Sequence, residues 1–173
     1  LLFFLSPSGN PAIYNASVIP VAKEENFIYA SSYNFKNNIP HTEFLPAVMA
    51  CIQHIKENYP VHDRLVFLGG FSGGGMACYV ISHFKKGKFA GALVNNGAIH
   101  ENLLDQYALK DTGLTKVAII SRDSDTVVTP PRLRNDSRLL QWSGIATQTF
   151  SFAGAHQIAE KEVYKKAIQW LLK

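Results

Sequence analysis

Residues 64–84 read RLVFLGGFSGGGMACYVISHF: an apolar run, a glycine-rich turn and then a helical pattern. Ser72 stands in the middle of the turn, within the pentapeptide Gly70-Phe71-Ser72-Gly73-Gly74. A strand that turns so sharply into a helix brings the two main chains together two residues to either side of Ser72. Glycine fits at both places because it lacks a Cβ. The stretch therefore predicts a hydroxyl that stands clear of a sheet, beside the N-terminus of a helix.

Short apolar runs of the same kind recur along the chain and alternate with longer helical patterns. Such runs are typical of parallel strands that are buried on both faces. The predicted strands are Leu1–Leu5, Asn26–Ala30, Leu65–Leu68, Gly91–Val94, Val117–Ile120 and Thr147–Phe152. The predicted helices are Leu45–Asn58, Gly74–Phe84, Asn135–Trp142 and Glu160–Leu172. The expected fold class is α/β, a three-layer sandwich with a mainly parallel sheet of about six strands and helices on both faces.

Length and composition are those of a soluble globular protein. The chain has 173 residues, of which 47% are hydrophobic and 17% charged, and we expect a single domain over residues 1–173. No apolar run approaches the roughly 20 residues that span a bilayer, and LLFFL at the start predicts a strand rather than a secretory signal. The formal charge of +4 is interpreted as a solvated basic face, because no nucleic-acid motif accompanies it. No compartment is predicted, because a targeting signal would lie upstream of Leu1.

Side chains suited to acid–base chemistry follow three of the predicted strands. Ser72 follows the third strand, Asp123 and Asp125 follow the fifth, and His156 follows the sixth. In parallel sheets, ligands bind beyond the carboxyl ends of the strands. A serine hydroxyl is a weak nucleophile until a base takes its proton, and a histidine base needs an acid that fixes its tautomer. His156 is the predicted base, and Asp125 or Asp123 is the predicted acid.

Other interpretations of the turn and of the remaining histidines have less support. The turn lacks the Gly-Lys-Ser/Thr ending of a P-loop and the glycine spacing of a dinucleotide site. A plain turn role for Ser72 would be the default if His156 and the two aspartates were absent. The other histidines are scattered along the chain: His41, His54, His62, His83 and His100. We therefore expect no metal site and no cofactor.

Three motifs in this order resemble the α/β-hydrolase family over nearly the whole chain. DRLVFLGGFSGGGMACYVISHF is similar to the family's strand, nucleophile elbow and helix, VAIISRDSDTVVTP to its acid-bearing strand and loop, and FAGAHQI to its Gly-x-His loop. The resemblance implies Ser72 as nucleophile and His156 as base. It implies Asp125 as acid because that residue precedes Thr-Val-Val, with Asp123 as the alternative. The expected activity is that of a small esterase, thioesterase or polymer-depolymerase-like serine hydrolase.

The loop after the first strand departs from the family's pattern. Family members usually carry a His-Gly pair there, and this loop supplies one of two oxyanion-hole N–H groups, the other being that of Gly73. Here the pair is Ser6-Pro7, and proline has no N–H to donate. Ser8, or else Gly9, is the expected donor. A missing donor costs roughly 3 kcal/mol of transition-state stabilisation, so the interpretation as a weakly active or non-catalytic binding protein remains open. A peptidase or amidase of the same fold is a further alternative.

Two further expectations follow from the resemblance. The family sheet normally begins with more strands, so the fold is expected to be trimmed at the N-terminus, with an exposed sheet edge that a protein partner or a second copy could cover. Only 22 residues, 95–116, stand where relatives insert a cap, so we expect no cap domain and a small-molecule ester or thioester substrate. Aromatic and apolar residues near the strand ends are candidates for an acyl pocket or for ordinary packing: Tyr33, Phe35, Phe71 and Ile99.

Overall fold

The computed structural model describes the chain from Leu1 to Lys173, with side chains described for residues 1–105 and 107–173. The six strands are β1 Leu2–Leu5, β2 Tyr29–Ser31, β3 Phe67–Phe71, β4 Gly91–Asn95, β5 Lys116–Arg122 and β6 Ala146–Phe152. The α-helices are α1 Asn15–Glu24, α2 His41–Asn58, α3 Gly73–Phe84, α4 Gln106–Lys110, α5 Pro130–Trp142 and α6 Lys161–Leu172. Two short 3₁₀ helices cover Pro11–Tyr14 and Glu101–Leu103.

All six strands form one parallel sheet in the order β2-β1-β3-β4-β5-β6. The chain passes from β1 outward to β2 and then returns across β1 to β3, so the direction of winding reverses between β1 and β3. In sheets of this kind the loops diverge at such a reversal and leave a crevice at the carboxyl ends of the strands. The turn that carries Ser72 follows β3 directly, and it therefore lies at this crevice.

Side chains alternate between the two faces of the sheet and bury two separate apolar clusters. In β1, Phe3 and Leu5 face one cluster, to which α2, α3 and α5 contribute. Leu2 and Phe4 face the other, to which α1 and α6 contribute. The alternation follows from the two-residue period of a strand. Helices thus cover both faces, and the predicted three-layer α/β sandwich with a six-stranded parallel sheet is confirmed.

The helices differ from the prediction at their N-termini. Helices α1 and α4 were not predicted, α2 begins at His41 rather than Leu45, and α5 begins at Pro130 rather than Asn135. Pro20 and Pro46 lie inside α1 and α2, where a proline removes one main-chain hydrogen bond and crowds the preceding turn. Burial of Val18 and Val21 on the sheet outweighs this cost in α1. Both helices therefore extend through residues that normally mark a helix start.

The sheet ends on β2 at one edge and on β6 at the other. Strand β2 is three residues long, and within the described chain its outer side has no strand partner. A short edge strand offers few free main-chain groups to another chain. That a protein partner or second copy covers this edge stays a prediction. No described helix is both long and apolar enough to cross a membrane.

Candidate active site

The turn at Ser72 has the strained main chain that its glycines predict. Ser72 adopts φ 53° and ψ −121°, a main-chain conformation that residues other than glycine rarely take. A Cβ on Gly70 would lie 2.3 Å from the main-chain carbon and oxygen of Gly74, and one on Gly74 would lie 2.1 Å from the carbonyl oxygen of Leu5. Glycine is therefore required at both places. The Ser72 N–H donates to the carbonyl of Asn95 over 2.9 Å, which ties the turn to the end of β4.

Ser72, His156 and Asp125 meet at the carboxyl end of the sheet although they lie far apart in the sequence. The Ser72 hydroxyl oxygen lies 2.9 Å from Nε2 of His156. The other ring nitrogen of His156, Nδ1, lies 2.7 Å from Oδ2 of Asp125. The imidazole packs on the ring of Phe71, with 4.8 Å between the ring centres. An uninterrupted hydrogen-bonded path thus links a serine hydroxyl, an imidazole and a carboxylate.

The Asp125 carboxylate is fully buried and accepts four hydrogen bonds. Its Oδ1 accepts the main-chain N–H groups of Val127 and Val128 at 2.8 and 2.9 Å, and its Oδ2 accepts from Asn96 and His156. Burial alone would raise the pKa of Asp125, but the hydrogen bonds from His156, the two valines and Asn96 more than offset it. The net pKa lies below its ordinary value, so this carboxyl group is ionised at neutral pH.

Asp123 lies on the same loop but has different partners. Its Oδ1 accepts the main-chain N–H of Gly154 at 2.9 Å and the Ser124 hydroxyl at 3.0 Å. The Gly154 hydrogen bond is the largest cause of a lowered Asp123 pKa. The carboxylate that reaches the imidazole of His156 is that of Asp125, while Asp123 holds the start of the His156 loop.

Two buried asparagines at the end of β4, which belong to none of the three sequence motifs, form a hydrogen-bonded path to Asp125. Asn95 accepts from the Tyr164 hydroxyl at 2.8 Å and from the Ala159 N–H at 2.9 Å, and its own amide group donates to Asn96. Asn96 in turn donates to Asp125 over 2.5 Å. In this series of hydrogen bonds, the orientation of each side-chain amide is therefore fixed by the group that donates to it.

Arg122, at the end of β5, holds the loop that carries His156. It is 2% exposed, and its guanidinium lies 3.7 Å above the centre of the Phe152 ring. It donates to the carbonyl oxygen of Ala153 and, over 2.9 Å, to that of Ile158. These two carbonyls bracket His156, so a single buried cation fixes both ends of the loop. A buried arginine was not predicted, because nothing local distinguishes it from a surface cation.

A pocket of about 930 Å³ opens beside Ser72 and Gly73. Phe35 and Ile99, two of the candidates for an acyl pocket or for ordinary packing, line it and are almost fully buried. Tyr33 is 69% exposed and lies outside the residues that line the pocket. The remaining walls come from α3, from His41 and Phe44 of α2, from Arg132 of α5, and from residues 36–39, 98–101 and 127–129.

A buried acidic side chain braces the pocket wall at Ile99. Asp136 accepts the Ile99 N–H at 2.9 Å, and Arg132 donates both to Asp136 and, at 2.9 Å, to the Ile99 carbonyl. Burial raises the pKa of Asp136, although these hydrogen bonds act in the opposite direction. The side chains of Asp136 and Arg132 therefore fix the main chain of the pocket wall at Ile99.

The loop after β1 forms a tight turn at Ser6-Pro7. The Gly9 N–H donates to the Ser6 carbonyl at 3.2 Å, and the Pro7 carbonyl accepts the main-chain N–H of Asn37 at 2.9 Å. In a trans peptide the C=O and N–H groups point in opposite directions, so the Ser8 N–H points away from Asn37. The Ser8 N–H has no acceptor among the described residues, whereas that of Gly9 is engaged.

No described cluster of three or more histidine, cysteine, aspartate or glutamate side chains is arranged to hold a metal ion. Comparison with protein-family models and with curated proteins gives no match.

Solved structures do resemble the chain. SOBER1 from Arabidopsis thaliana is 18% identical, with a TM-score of 0.69 and coverage of 99% of this chain and 98% of that one. FphF, a fluorophosphonate-binding serine hydrolase from Staphylococcus aureus, is 18% identical with a TM-score of 0.78, over 99% and 83% of the two chains. Est1E from Butyrivibrio proteoclasticus is 12% identical with a TM-score of 0.76, over 99% and 87%. At such identities the likeness establishes the fold, and the fold of this chain is that of the α/β-hydrolases.

Proposed function

We propose that this chain is a serine hydrolase that cleaves carboxylic esters or thioesters through an acyl-enzyme, with Ser72 as nucleophile, His156 as base and Asp125 as acid. The observation that carries the proposal is the hydrogen-bonded path from the Ser72 hydroxyl through both nitrogens of His156 to Asp125, at 2.9 and 2.7 Å. Structures of the same fold are described as esterases and serine hydrolases, which agrees with this assignment.

In the first half of the reaction, Ser72 Oγ attacks the carbonyl carbon while His156 Nε2 accepts the hydroxyl proton. Asp125 keeps the Nδ1 proton in place and stabilises the imidazolium that forms. Collapse of the tetrahedral intermediate breaks the bond to the alcohol or thiol, which leaves with the proton from Nε2. Water then attacks the acyl-enzyme with Nε2 as base, and the carboxylic acid and free Ser72 are regenerated.

The negative charge on the intermediate's oxygen needs hydrogen-bond donors that are already in place. The Gly73 N–H is one, because Gly73 is the first residue of α3 and the first N–H groups of a helix have no acceptor within the helix. The Ser8 N–H is the second. This assignment is supported by the loop after β1, in which the Ser8 N–H has no acceptor among the described residues while that of Gly9 donates to Ser6.

The open pocket beside Ser72 suits small-molecule esters and thioesters whose acyl group packs against Phe35 and Ile99. Cleavage of peptide or amide bonds is a variant of the same mechanism. Parallel assays with p-nitrophenyl esters, an acyl thioester and a chromogenic peptide rank the three, and the highest kcat/KM is expected for an ester or thioester.

A non-catalytic binding protein is the second candidate. The observation that favours it is Pro7, which has no N–H to donate and stands in the loop from which the α/β-hydrolase family usually supplies an oxyanion-hole N–H. Labelling with a fluorophosphonate separates the two functions. The proposal expects labelling of the folded wild type and none of Ser72→Ala. Folded wild type that takes no label favours binding, and labelling that persists in Ser72→Ala excludes Ser72 as the reactive serine.

A further inference from the structure

The side chain of Asn37 occupies the place that a side chain of residue 73 would take. A Cβ built on Gly73 would lie 2.0 Å from Oδ1 of Asn37 and 3.0 Å from its Nδ2. Asn37 follows β2 and comes from the far side of the β1 loop, yet its amide lies directly against the residue that follows the nucleophile. Both Asn37 and Gly73 line the pocket beside Ser72. Because Gly73 has no side chain, the Asn37 amide can approach its main chain.

Asn37 is exposed, but the main chain around it is anchored on two sides. The Asn37 N–H donates to the Pro7 carbonyl at 2.9 Å, and the neighbouring Phe35 is buried edge-on against Phe44, with 5.0 Å between the ring centres. The amide itself has Oδ1 against Gly73, and its NH₂ group has no acceptor among the described residues. An amide with a free donor thus lies at the open pocket, on a main chain that is anchored on both sides.

We propose that Asn37 is a side-chain oxyanion-hole donor, which hydrogen-bonds through Nδ2 to the same substrate oxygen as the Gly73 N–H. This inference rests on the proposed function and deepens it. Donors to one oxyanion stand 2.7–3.1 Å from it, so two of them cannot be more than about 6 Å apart. Standard bond lengths and angles put the main-chain nitrogen about 2.5 Å from a Cβ on the same residue. Together with the 3.0 Å above, this bounds the distance from Asn37 Nδ2 to Gly73 N at about 5.5 Å, inside that limit.

Such a donor has a physical reason at this site. Pro7 removes an N–H from the β1 loop, and Gly9 uses its own N–H within the turn, so that loop supplies few main-chain donors. The Pro7 carbonyl accepts the main-chain N–H of Asn37. Pro7 therefore lacks an N–H of its own for the site but helps to hold the residue whose side-chain amide can supply one.

The test compares Asn37→Ala and Asn37→Asp with wild type in the hydrolysis of p-nitrophenyl acetate and in inhibition by a trifluoromethyl ketone. Ser72 adds to this ketone and creates an oxyanion, so the Ki of the ketone measures how well the hydrogen-bond donors stabilise that charge. We expect Asn37→Ala to lower kcat by about 10²-fold, with KM changed less than about threefold, and to weaken the ketone by a similar factor. Asn37→Asp keeps the shape but donates no hydrogen and repels the oxyanion, so its loss should be at least as large.

Asn34→Ala is the matched control, because Asn34 is, like Asn37, an exposed asparagine of the same segment but does not line the pocket. Its kcat and Ki should equal those of wild type. Asn37→Asp with nearly full activity would assign Asn37 a space-filling role, and unchanged kinetics of Asn37→Ala in an active protein would remove its role altogether. Wild type that neither hydrolyses the ester nor binds the ketone would instead refute the proposed function, and the role of Asn37 with it.

Discussion

Replacing Asp125 by asparagine changes one atom, and its consequence can be worked out because every neighbour of this carboxylate is a donor. Oδ1 accepts the N–H groups of Val127 and Val128, and Oδ2 accepts from Asn96 and His156. An asparagine keeps only one oxygen. If that oxygen replaces Oδ1, its NH₂ group faces the amide of Asn96 and the imidazole. Asn96 cannot turn around in response, because its own oxygen already accepts from Asn95.

The expected effect on catalysis is a wrong tautomer. An NH₂ group beside Nδ1 of His156 forces this nitrogen to accept, so the proton moves to Nε2, which can then no longer take the proton of Ser72. By analogy with serine hydrolases, this costs about 10⁴-fold in kcat, or roughly 5.5 kcal/mol. Unsatisfied buried donors cost about 1–3 kcal/mol each, so the free energy of unfolding should fall by about 2–4 kcal/mol.

The assay is p-nitrophenyl ester hydrolysis at 25 °C, with thermal unfolding followed by circular dichroism to show that the variant is folded when measured. Asp123→Asn is the control, because its carboxylate contacts Gly154 and Ser124 but not the imidazole. We expect it to lose less than about tenfold. Folded Asp125→Asn with more than one tenth of the wild-type kcat would refute the argument from hydrogen-bond direction. A larger loss in Asp123→Asn would move the role of acid to Asp123.

Two further predictions concern the loop that carries His156 and the stability of the protein in acid. Arg122→Met should lower kcat at least tenfold and the free energy of unfolding by about 2–4 kcal/mol, because the hydrogen bonds from a charged donor to Ala153 and Ile158 are lost. Ester hydrolysis and urea unfolding measure the two effects. Wild-type values in both would show that Arg122 does not hold the loop of His156. The pKa of Asp125 is lower in the folded state than its ordinary value of 3.8, so its ionised form stabilises the fold above that pH, and this stabilisation is lost as pH falls through the folded pKa. Between pH 6 and pH 2, the free energy of unfolding measured with urea should therefore fall more steeply for wild type than for Asp125→Asn. Parallel curves would show that ionised Asp125 does not stabilise the fold.

The parts of the site that could be predicted are those with a local signal. The glycines around Ser72 are required by a close approach of two main chains that are adjacent in sequence, so the pentapeptide alone indicates the turn. His156 follows the last strand and precedes the last helix, which places it at the carboxyl end of the sheet. The residues alone leave Asp123 and Asp125 both open as the acid, because two carboxylates so close on one loop differ only in the direction that the folded main chain gives them.

The helix errors have a different cause. Proline rules describe the cost of a residue within its own helix, and at Pro20 and Pro46 that cost is real. The compensating burial of Val18 and Val21 comes from β1, β3 and α6, which are remote in sequence. A rule applied to a local window therefore misses α1, because this burial lies outside the window, and it starts α2 at Leu45, just before Pro46, instead of at His41.

The supporting residues could not be predicted because their roles depend on contacts between distant loops. Asn95 and Asn96 are identical neighbours in sequence, yet one accepts from Tyr164 and the other donates to Asp125. Their amides run in one direction, from a tyrosine hydroxyl to a carboxylate, and that direction leaves position 125 only an acceptor's role. A leucine at position 96 would leave all three sequence motifs unchanged and still remove a donor from the buried carboxylate. The chemistry of the site thus depends on a polar network that the motifs do not contain.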